Sequence, residues 1–331
     1  MRKETSFDGS VRPKWLASAA AAFCAMCPLT YAEDLHSRIP TEPPTKWTEE
    51  QIKQVAEPVR AGRSLTPKSW PGGNKVAVIM TWDLDNESYQ IISGRTDIVN
   101  LSKGEYGARS GFPRIIELHD RLNIPGTLFI PVASAVLAPQ IITELKKRPQ
   151  LEVGLHGWIH EVLYKLDDKA EEQRLLNKQI DFWTKALGTR PVGSRTGLAQ
   201  ISPYTIELLR NAGFEYDSSI SAMDEPYELL SYGKPSGLVE LPVDWVMDDG
   251  GAEDGIPEGE AFYQMWRADF DRAYKEGTLL VVNCHSHISA HRMRIKYLED
   301  FVLYMKSKPG VWFATARQVA EYVKQQNSIT P

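Results

Sequence analysis

Apolar runs of the kind found in β-strands alternate with helical patterns along most of the chain after residue 74. Between residues 169 and 187, apolar side chains recur at the spacing of one helix face. Residues 203–212 are predicted to form another helix, because Gly213 occupies the position that commonly follows a helix end. Alternating strands and helices over this length predict a parallel sheet, either open or closed into a barrel. The predicted strands are residues 75–82, 126–131, 151–155, 191–194, 214–217, 238–243, 278–284 and 311–313.

The first 32 residues do not follow this pattern. Basic residues precede an Ala-rich apolar run at 15–29, and Thr30-Tyr31-Ala32 fits a small-x-small cleavage site. We therefore predict a signal peptide over residues 1–32 and an exported protein, either periplasmic or secreted. The run is too short for a comfortable membrane span, so no span is expected in the mature chain.

Residues 33–73 are predicted to precede the catalytic domain as a separate N-terminal region. The Pro-rich stretch 33–46 predicts an extended arm. Thr48-Glu49-Glu50-Gln51 has the capping-box pattern that opens a helix, which is expected to run to about Arg60. The catalytic domain is predicted to span residues 74–331.

The composition is that of an ordinary globular protein, with 42% hydrophobic and 24% charged residues in a chain of 331. The net charge of −5 and the lack of a Lys/Arg tract argue against nucleic acid as a partner. Cys284 is the only cysteine after residue 32, so the mature chain has no internal disulfide. Its position within an apolar run predicts a small buried hydrophobe rather than a nucleophile. A homo-oligomer is compatible with the sequence.

Three of the apolar runs end in ionisable residues. Asp83 and Asp85 end one run, and their spacing places both on one face of a strand. His156 follows a second run, and His285 follows a third. Because parallel sheets gather their chemistry at the carboxyl ends of strands, we expect these side chains to lie close together. Two close carboxylates cannot easily both be charged unless a cation lies between them, so one can bind a metal while the other acts as general base.

His156 and His160 are the candidate metal ligands beside one of these carboxylates. Their spacing predicts that both rings lie on one face of a helical turn. A His₂Asp set leaves positions for water and substrate on one divalent ion. Zinc is the expected metal, and cobalt, nickel and manganese are also chemically suitable.

A second pair, His287 and His291, has the same spacing and competes for this role. It lies among Arg292, Arg294 and Lys296, whose charges repel a cation. The first pair is therefore favoured.

The remaining polar and aromatic residues are weaker candidates. His36 lies in the predicted arm and His119 in a helical segment, and both are predicted to be solvated. Isolated aromatic and basic residues are more often packing or surface residues than ligands. The candidates to line a substrate groove are Tyr106, Arg109, Trp158, Trp245 and Asp248.

Taken together, the motifs resemble those of the NodB-homology polysaccharide deacetylases, carbohydrate esterase family four, over about residues 70–325. Thr81-Trp82-Asp83-Leu84-Asp85 resembles the family's Thr-Phe-Asp-Asp, with a spacer between the acids, and His156 to His160 matches its His-x-x-x-His. The spacer is typical of a branch that contains peptidoglycan deacetylase-like proteins and cyclic-imide hydrolases. Further segments that resemble this branch are Glu161, 104–109, 216–219, 240–242 and Asp248-Asp249.

The resemblance implies an α/β fold, a distorted (β/α) barrel of the NodB type, and a role for each site residue. It implies that Asp83 is the base and that one divalent metal is held by Asp85, His156 and His160. Arg195 falls on the third motif, where an arginine orients the base aspartate, although the usual Arg-x-Pro-Tyr reads Arg195-Thr196-Gly197-Leu198 here.

His285 falls on the general acid of the family's His-Pro motif. Ser286 replaces the proline, and the downstream Gly-Arg reads Ala290-His291. His287 is therefore kept as the alternative acid.

The implied reaction is metal-assisted hydrolysis of a C–N bond in an amide. Because export is predicted, the expected substrate is an N-acetylated amino sugar in a cell-wall or other extracellular glycan, bound in an open groove with Trp158 or Trp245 exposed along it. The same chemistry would open a cyclic imide or ureide, which is the first alternative. A glycan-binding protein without turnover is the second, and it is disfavoured because all proposed ligands and acid–base groups are present.

Overall fold

The computed structural model describes residues 40–166, 168–250 and 259–329. The predicted signal peptide, residues 1–32, and the first part of the predicted arm lie outside these ranges. Within the described ranges, no helix combines the length and the apolar character needed to cross a bilayer. The region boundaries at residues 32 and 73 stay predictions.

The described residues contain one sheet of ten strands. The strands are β1 (Val59–Ser64), β2 (Val76–Asp83), β3 (Gly126–Ile130), β4 (Leu151–Leu155), β5 (Gly193–Ser194), β6 (Tyr216–Asp217), β7 (Tyr227–Ser231), β8 (Lys234–Glu240), β9 (Leu279–His285) and β10 (Val311–Ala314). Their order is β1-β7-β8-β6-β5-β4-β3-β2-β10, and β9 pairs with β2. All neighbours are parallel except β1 with β7 and β7 with β8. All eight predicted strands are present, and the curled sheet confirms the distorted (β/α) barrel.

Helices connect most of the successive parallel strands and cover the sheet. The α-helices are α1 (Glu49–Ala56), α2 (Glu87–Ile92), α3 (Ile98–Tyr106), α4 (Phe112–Leu122), α5 (Val132–Leu137), α6 (Gln140–Leu145), α7 (Lys169–Leu187), α8 (Thr205–Asn211), α9 (Glu260–Glu276), α10 (Arg292–Lys306) and α11 (Ala316–Gln326). A π-helical turn, Gly107–Gly111, joins α3 to α4. Helix α7 has the predicted bounds. Helix α8 is shorter than predicted, and Gly213 follows it with a φ of 74°.

The prediction for residues 49–60 was partly wrong. The capping box at Thr48 and Gln51 is present, but the helix ends at Ala56. The chain then forms β1, which pairs antiparallel with β7. Pro58 contributes no N–H donor to a helix, whereas pairing with β7 satisfies the backbone of the residues that follow.

The two faces of β2 pack into two hydrophobic clusters. Val78, Met80 and Trp82 join the larger cluster, while Ala77 and Ile79 join the other. This alternation follows from the two-residue period of a strand. Asp83 therefore lies on the same face as Ala77 and Ile79, at the carboxyl end of a fully buried strand.

Two further predictions concern buried residues. Cys284 is a buried free cysteine, as predicted. The prediction that His119 is solvated was wrong, because this side chain is only 1% exposed. Its Nδ1 donates to the Ile124 carbonyl at 3.0 Å, and its Nε2 accepts from Trp82 Nε1 at 2.9 Å. The imidazole is therefore a fully hydrogen-bonded part of the core.

Candidate active site

The two aspartates lie at the carboxyl end of β2, and both are buried. Asp83 is the last residue of the strand, and Asp85 follows in the next loop. The hydroxyl groups of Ser88 and Ser134 each donate to the Asp85 carbonyl at 2.6 Å. The backbone at Asp85 is thereby anchored, which directs its carboxylate towards the neighbouring strand ends.

His156 directly follows β4, but the residues up to His160 do not form the predicted helical turn. Gly157 and His160 have φ values of 90° and 63°, so the segment is an irregular loop. The Glu161 carboxylate closes this loop by accepting from the backbone N–H groups of Trp158 at 3.0 Å and Ile159 at 2.8 Å. The two imidazole rings still meet, with their centroids 4.9 Å apart.

The ligand set suits a divalent metal ion. His156 Nδ1 donates to the Arg195 carbonyl at 2.8 Å, so the lone pair of its Nε2 points towards Asp85 Oδ1, 3.3 Å away. His160 Nε2 lies 3.6 Å from Asp85 Oδ2. His156 Nε2 and Asp85 Oδ1 are buried without a hydrogen-bond partner, and one ligand atom from each of the three residues lies within 4.8 Å of the others. Buried acceptors that face one another are unfavourable unless a cation lies between them.

Arg195 holds Asp83 from the opposite side. It follows β5, and its Nη1 donates to Asp83 Oδ1 at 2.8 Å. Its Nε and Nη2 donate to the carbonyl and hydroxyl oxygens of Ser218 at 3.0 and 2.9 Å. Burial raises the pKa of Asp83, but the charges of Arg195 and His156 outweigh burial and lower that pKa below its usual value. Asp83 is therefore ionised and able to accept a proton.

Asn283 is a site residue that the sequence-based prediction missed. Its Nδ2 donates to Asp83 Oδ2 at 3.0 Å, and its side chain is buried. The second carboxylate oxygen of Asp83 is thereby held as well. The signal was available, because Asn283 precedes His285 by two residues and so lies on the same face of a strand.

His285 ends β9 and faces both aspartates of β2. Its Nε2 lies 3.6 Å from Asp85 Oδ2 and 3.8 Å from Asp83 Oδ2. Its Nδ1 donates to Asp249 Oδ1 at 2.6 Å, and its backbone N–H donates to Asp249 Oδ2 at 2.9 Å. Burial lowers the pKa of His285, but the charges of Asp249 and Asp248 outweigh burial and hold that pKa well above its usual value. His285 can therefore donate a proton near neutral pH.

A cavity of about 380 Å³ joins these groups to the surface. Asp83, Asp85, both candidate ligand histidines, Arg195, Asn283 and His285 line it, together with Trp245, Asp248 and His287. Trp245 is 70% exposed and Leu198 is 51% exposed at its rim. Six predicted catalytic and ligand residues are therefore brought together with two of the predicted substrate contacts.

Three other predicted substrate contacts lie outside this cavity. The Tyr106 ring stacks on His291 at 4.1 Å between centroids. Arg109 is exposed and forms an ion pair with Glu105. Trp158 packs edge-on against Phe182 and carries the Lys178 ammonium over its face. Each of these side chains has a packing or surface role, as isolated aromatic and basic residues more often do.

Comparisons with known proteins identify the family of this chain. A family model for polysaccharide deacetylase matches residues 104–216. A solved structure from Mycobacterium smegmatis, assigned to the polysaccharide deacetylases, is 31% identical, with a TM-score of 0.73 and coverage of 82% of this chain and 97% of that one. The peptidoglycan deacetylase of Helicobacter pylori is 26% identical over 69% of this chain and 88% of its own length. The chain therefore belongs to the polysaccharide deacetylase family, whose members hydrolyse amide C–N bonds of glycans.

The fold is also shared by an enzyme with a different substrate. The structure of an allantoinase superposes with a TM-score of 0.70 at 24% identity, over 79% of this chain and 94% of that one. At this level of identity the likeness concerns the fold alone.

Proposed function

We propose that the chain is a metal-dependent hydrolase that removes acetyl groups from N-acetylated amino sugars in an extracellular glycan. One observation carries the proposal. An ionised aspartate, a buried His₂Asp set with orphaned acceptors and a protonatable histidine all line one cavity. Hydrolysis of an unactivated amide needs a base, a metal site and an acid close together in one site.

Asp85, His156 and His160 would hold the metal, and zinc is the proposed ion because two imidazoles and one carboxylate are ligands that it favours. When bound, the metal would polarise the amide carbonyl and the attacking water. Burial lowers the pKa of His160, which favours the neutral imidazole that metal binding requires.

Asp83 would accept the proton of the attacking water. Its two oxygens are held by Arg195 and Asn283, so the carboxylate is fixed in orientation before substrate binds. A base that is already oriented avoids part of the entropic cost of reaching the transition state.

His285 would protonate the departing amine. The Asp249 carboxylate fixes the imidazole through Nδ1, which leaves Nε2 directed towards the two aspartates and the cavity. Proton uptake and proton release would therefore occur on separate residues, Asp83 and His285. His287 lines the same cavity and is the alternative acid.

The rim supports a sugar as substrate. Trp245 and Leu198 offer exposed apolar surface beside the acidic residues, and a pyranose ring presents both an apolar face and hydroxyl groups. Residues 1–32 have the pattern of a signal peptide, which supports export to the periplasm or beyond, where such glycans occur.

One assay panel tests this function. Metal-reconstituted protein is incubated with chitooligosaccharides, with peptidoglycan and with succinimide-like rings, and acetate release and ring opening are followed side by side. We expect acetate release that requires the metal and is lost in Asp83→Asn. Ring opening that is orders of magnitude faster than acetate release would promote the cyclic-imide alternative. Glycan binding without either reaction would indicate a non-catalytic protein.

A further inference from the structure

Two acidic side chains lie side by side beneath the active site, fully shielded from solvent. Asp217 ends β6 and Glu240 ends β8, and they are direct partners in the parallel pairing of these strands. Both are 0% exposed. They occupy two of the sequence segments, 216–219 and 240–242, to which the proposed mechanism gives no role.

The two carboxyl groups are adjacent because their residues pair directly across β6 and β8. Asp217 Oδ1 accepts from the Ser219 N–H at 3.0 Å, and Glu240 Oε1 accepts from the Ile220 N–H at 2.9 Å. Asp217 Oδ2 and Glu240 Oε2 are buried and have no hydrogen-bond partner. Two adjacent buried carboxylates cannot easily both be charged, and one proton between these two oxygens would give each of them a hydrogen bond.

The surroundings favour one proton rather than none or two. Arg195 is the cation that faces Asp217, and the Tyr227 ring lies across from Glu240 in the β7–β8 pairing. Burial raises the pKa of Asp217 to about 6, and burial together with the charge of Asp217 raises the pKa of Glu240 well above its usual value. Near neutral pH the pair therefore carries a single negative charge beside the guanidinium group.

The pair holds the turn that anchors Arg195. This turn, residues 218–220, receives the Arg195 guanidinium on the carbonyl and hydroxyl oxygens of Ser218. The same hydroxyl donates to the Leu241 carbonyl at 2.7 Å, one residue after Glu240. The Ser219 hydroxyl accepts from the Thr196 N–H at 3.0 Å. Both strand ends therefore converge on Arg195, which in turn binds Asp83.

We propose that Asp217 and Glu240 share one proton and, as a hydrogen-bonded pair, position Arg195 against the base Asp83. They are positioning residues, because neither lines the cavity. The effect on turnover rests on the proposed deacetylase function, whereas the shared proton does not.

The shared proton is tested without an activity assay. Infrared difference spectra at pH 8 compare the wild type with Glu240→Gln and Asp217→Asn, whose amides supply the missing donor without a proton. We expect the wild type to show the carbonyl stretch of one additional protonated carboxyl group relative to each variant. Spectra of both variants that do not differ from the wild type in this band would overturn the proposal, and this test does not require the substrate to be known.

The positioning role is tested by kinetics at constant metal content. Glu240→Ala removes the pair, and we expect kcat to fall about tenfold to 100-fold, the range seen when a supporting partner is lost. Glu240→Gln should stay within about threefold of the wild type, because its amide can bridge the same oxygens. Equal losses in the two variants would contradict the proposal.

A double-mutant comparison separates positioning from general damage to the fold. In an Arg195→Ala background, Glu240→Ala should lower kcat no further, because the anchored group is already absent. Ser218→Ala breaks the same connection one step nearer to Arg195 and gives the same test if Glu240→Ala does not fold. Losses that multiply in the double variants would assign the pair a purely structural role and overturn the proposal.

Discussion

Two buried histidines of this protein, His119 and His156, share the same first hydrogen bond and differ at the second nitrogen. In each, Nδ1 donates to a backbone carbonyl, at 3.0 Å in His119 and 2.8 Å in His156. His119 Nε2 accepts from Trp82, whereas His156 Nε2 faces Asp85 with no donor. Both nitrogens of the His119 imidazole are hydrogen-bonded within the protein, whereas the His156 imidazole presents its Nε2 lone pair to the Asp85 carboxylate.

The pKa values of the two histidines differ as well, because their electrostatic surroundings differ. Burial lowers the pKa of His119 to about 4. Burial also lowers the pKa of His156, but Asp83 and Asp85 outweigh burial and raise it. His119, on helix α4, is a neutral packing group in the core. His156, at the carboxyl end of β4, is surrounded by carboxylate charge that only a proton or a metal ion can compensate.

The pair His287 and His291 shows that spacing alone does not make a metal site. Its members are four residues apart, like His156 and His160, yet His291 stacks on Tyr106 instead of facing a carboxylate. Burial and the charges of Arg294 and Arg114 lower the pKa of His291. The acceptor groups around the imidazoles therefore decide which pair can bind a cation.

The largest effect is expected from substitution of the acid–base residues at the carboxyl ends of β2 and β9. Asp83→Asn and His285→Ala should each fold, keep their metal and lose roughly 10²–10⁴-fold in kcat, the usual contribution of general acid–base catalysis. Steady-state rates with metal content measured on the same samples provide the check. Near-normal turnover in either variant would remove that residue from the mechanism, and His119→Gln serves as the matched control with unchanged turnover.

A second prediction concerns His119 and the pH dependence of protein stability that its burial produces. His119 has a pKa of about 4 in the folded protein against 6.5 when unperturbed, so the unfolded chain binds more protons between these values. The contribution to stability is complete above pH 6.5 and is lost as the pH falls towards 4, by roughly 3 kcal/mol. Denaturant unfolding at several pH values should show this loss relative to His119→Gln. Parallel stability curves for the two proteins would contradict the assignment.

Asp249→Asn is expected to lower turnover less than the substitutions of Asp83 and His285. The amide removes the charge beside His285 Nδ1 and can present the wrong group to it, so kcat should fall about 10–100-fold. Asp249 lies beyond the proposed ligands, and metal content should not change. A drop in metal content instead of kcat would indicate that Asp249, not Asp85, belongs to the metal site.

The smallest predicted effect concerns the rim. Trp245→Ala should raise KM for an oligosaccharide by at most about tenfold, equivalent to about 1.4 kcal/mol, and leave kcat nearly unchanged. Arg109→Ala is the matched control, because Arg109 is exposed outside the cavity. A larger KM change in Arg109→Ala than in Trp245→Ala would place the substrate on the other side of the molecule.

Much of the sheet and most of the site could be predicted from the sequence because each depends on a short-range pattern. Apolar runs that end in Asp83, His156 and His285 mark strand ends, and parallel strand ends meet at one edge. Helix α7 has apolar residues at helical spacing over its whole length and has the predicted bounds.

The elements that were missed depend on contacts between distant residues. Strand β1 forms because β7 offers it a partner far along the chain. Val59 pairs with Ser231, 172 residues later, and no local pattern encodes that pairing. The loop from His156 to His160 takes its shape from Glu161 and from positive φ values rather than from a helical turn. The burial of His119 did have a local signal, because Ile115, Ile116 and Leu122 of the same helix face are buried with it.

The central claim is that Asp85, His156 and His160 hold one divalent metal that the other histidine pair cannot hold. Elemental analysis of purified, zinc-reconstituted protein tests it most directly, with His156→Ala and His287→Ala compared in parallel after folding has been verified. We expect one zinc per chain in the wild type and in His287→Ala, and far less than one in His156→Ala. Stoichiometric zinc in His156→Ala, or its loss in His287→Ala alone, would contradict the account.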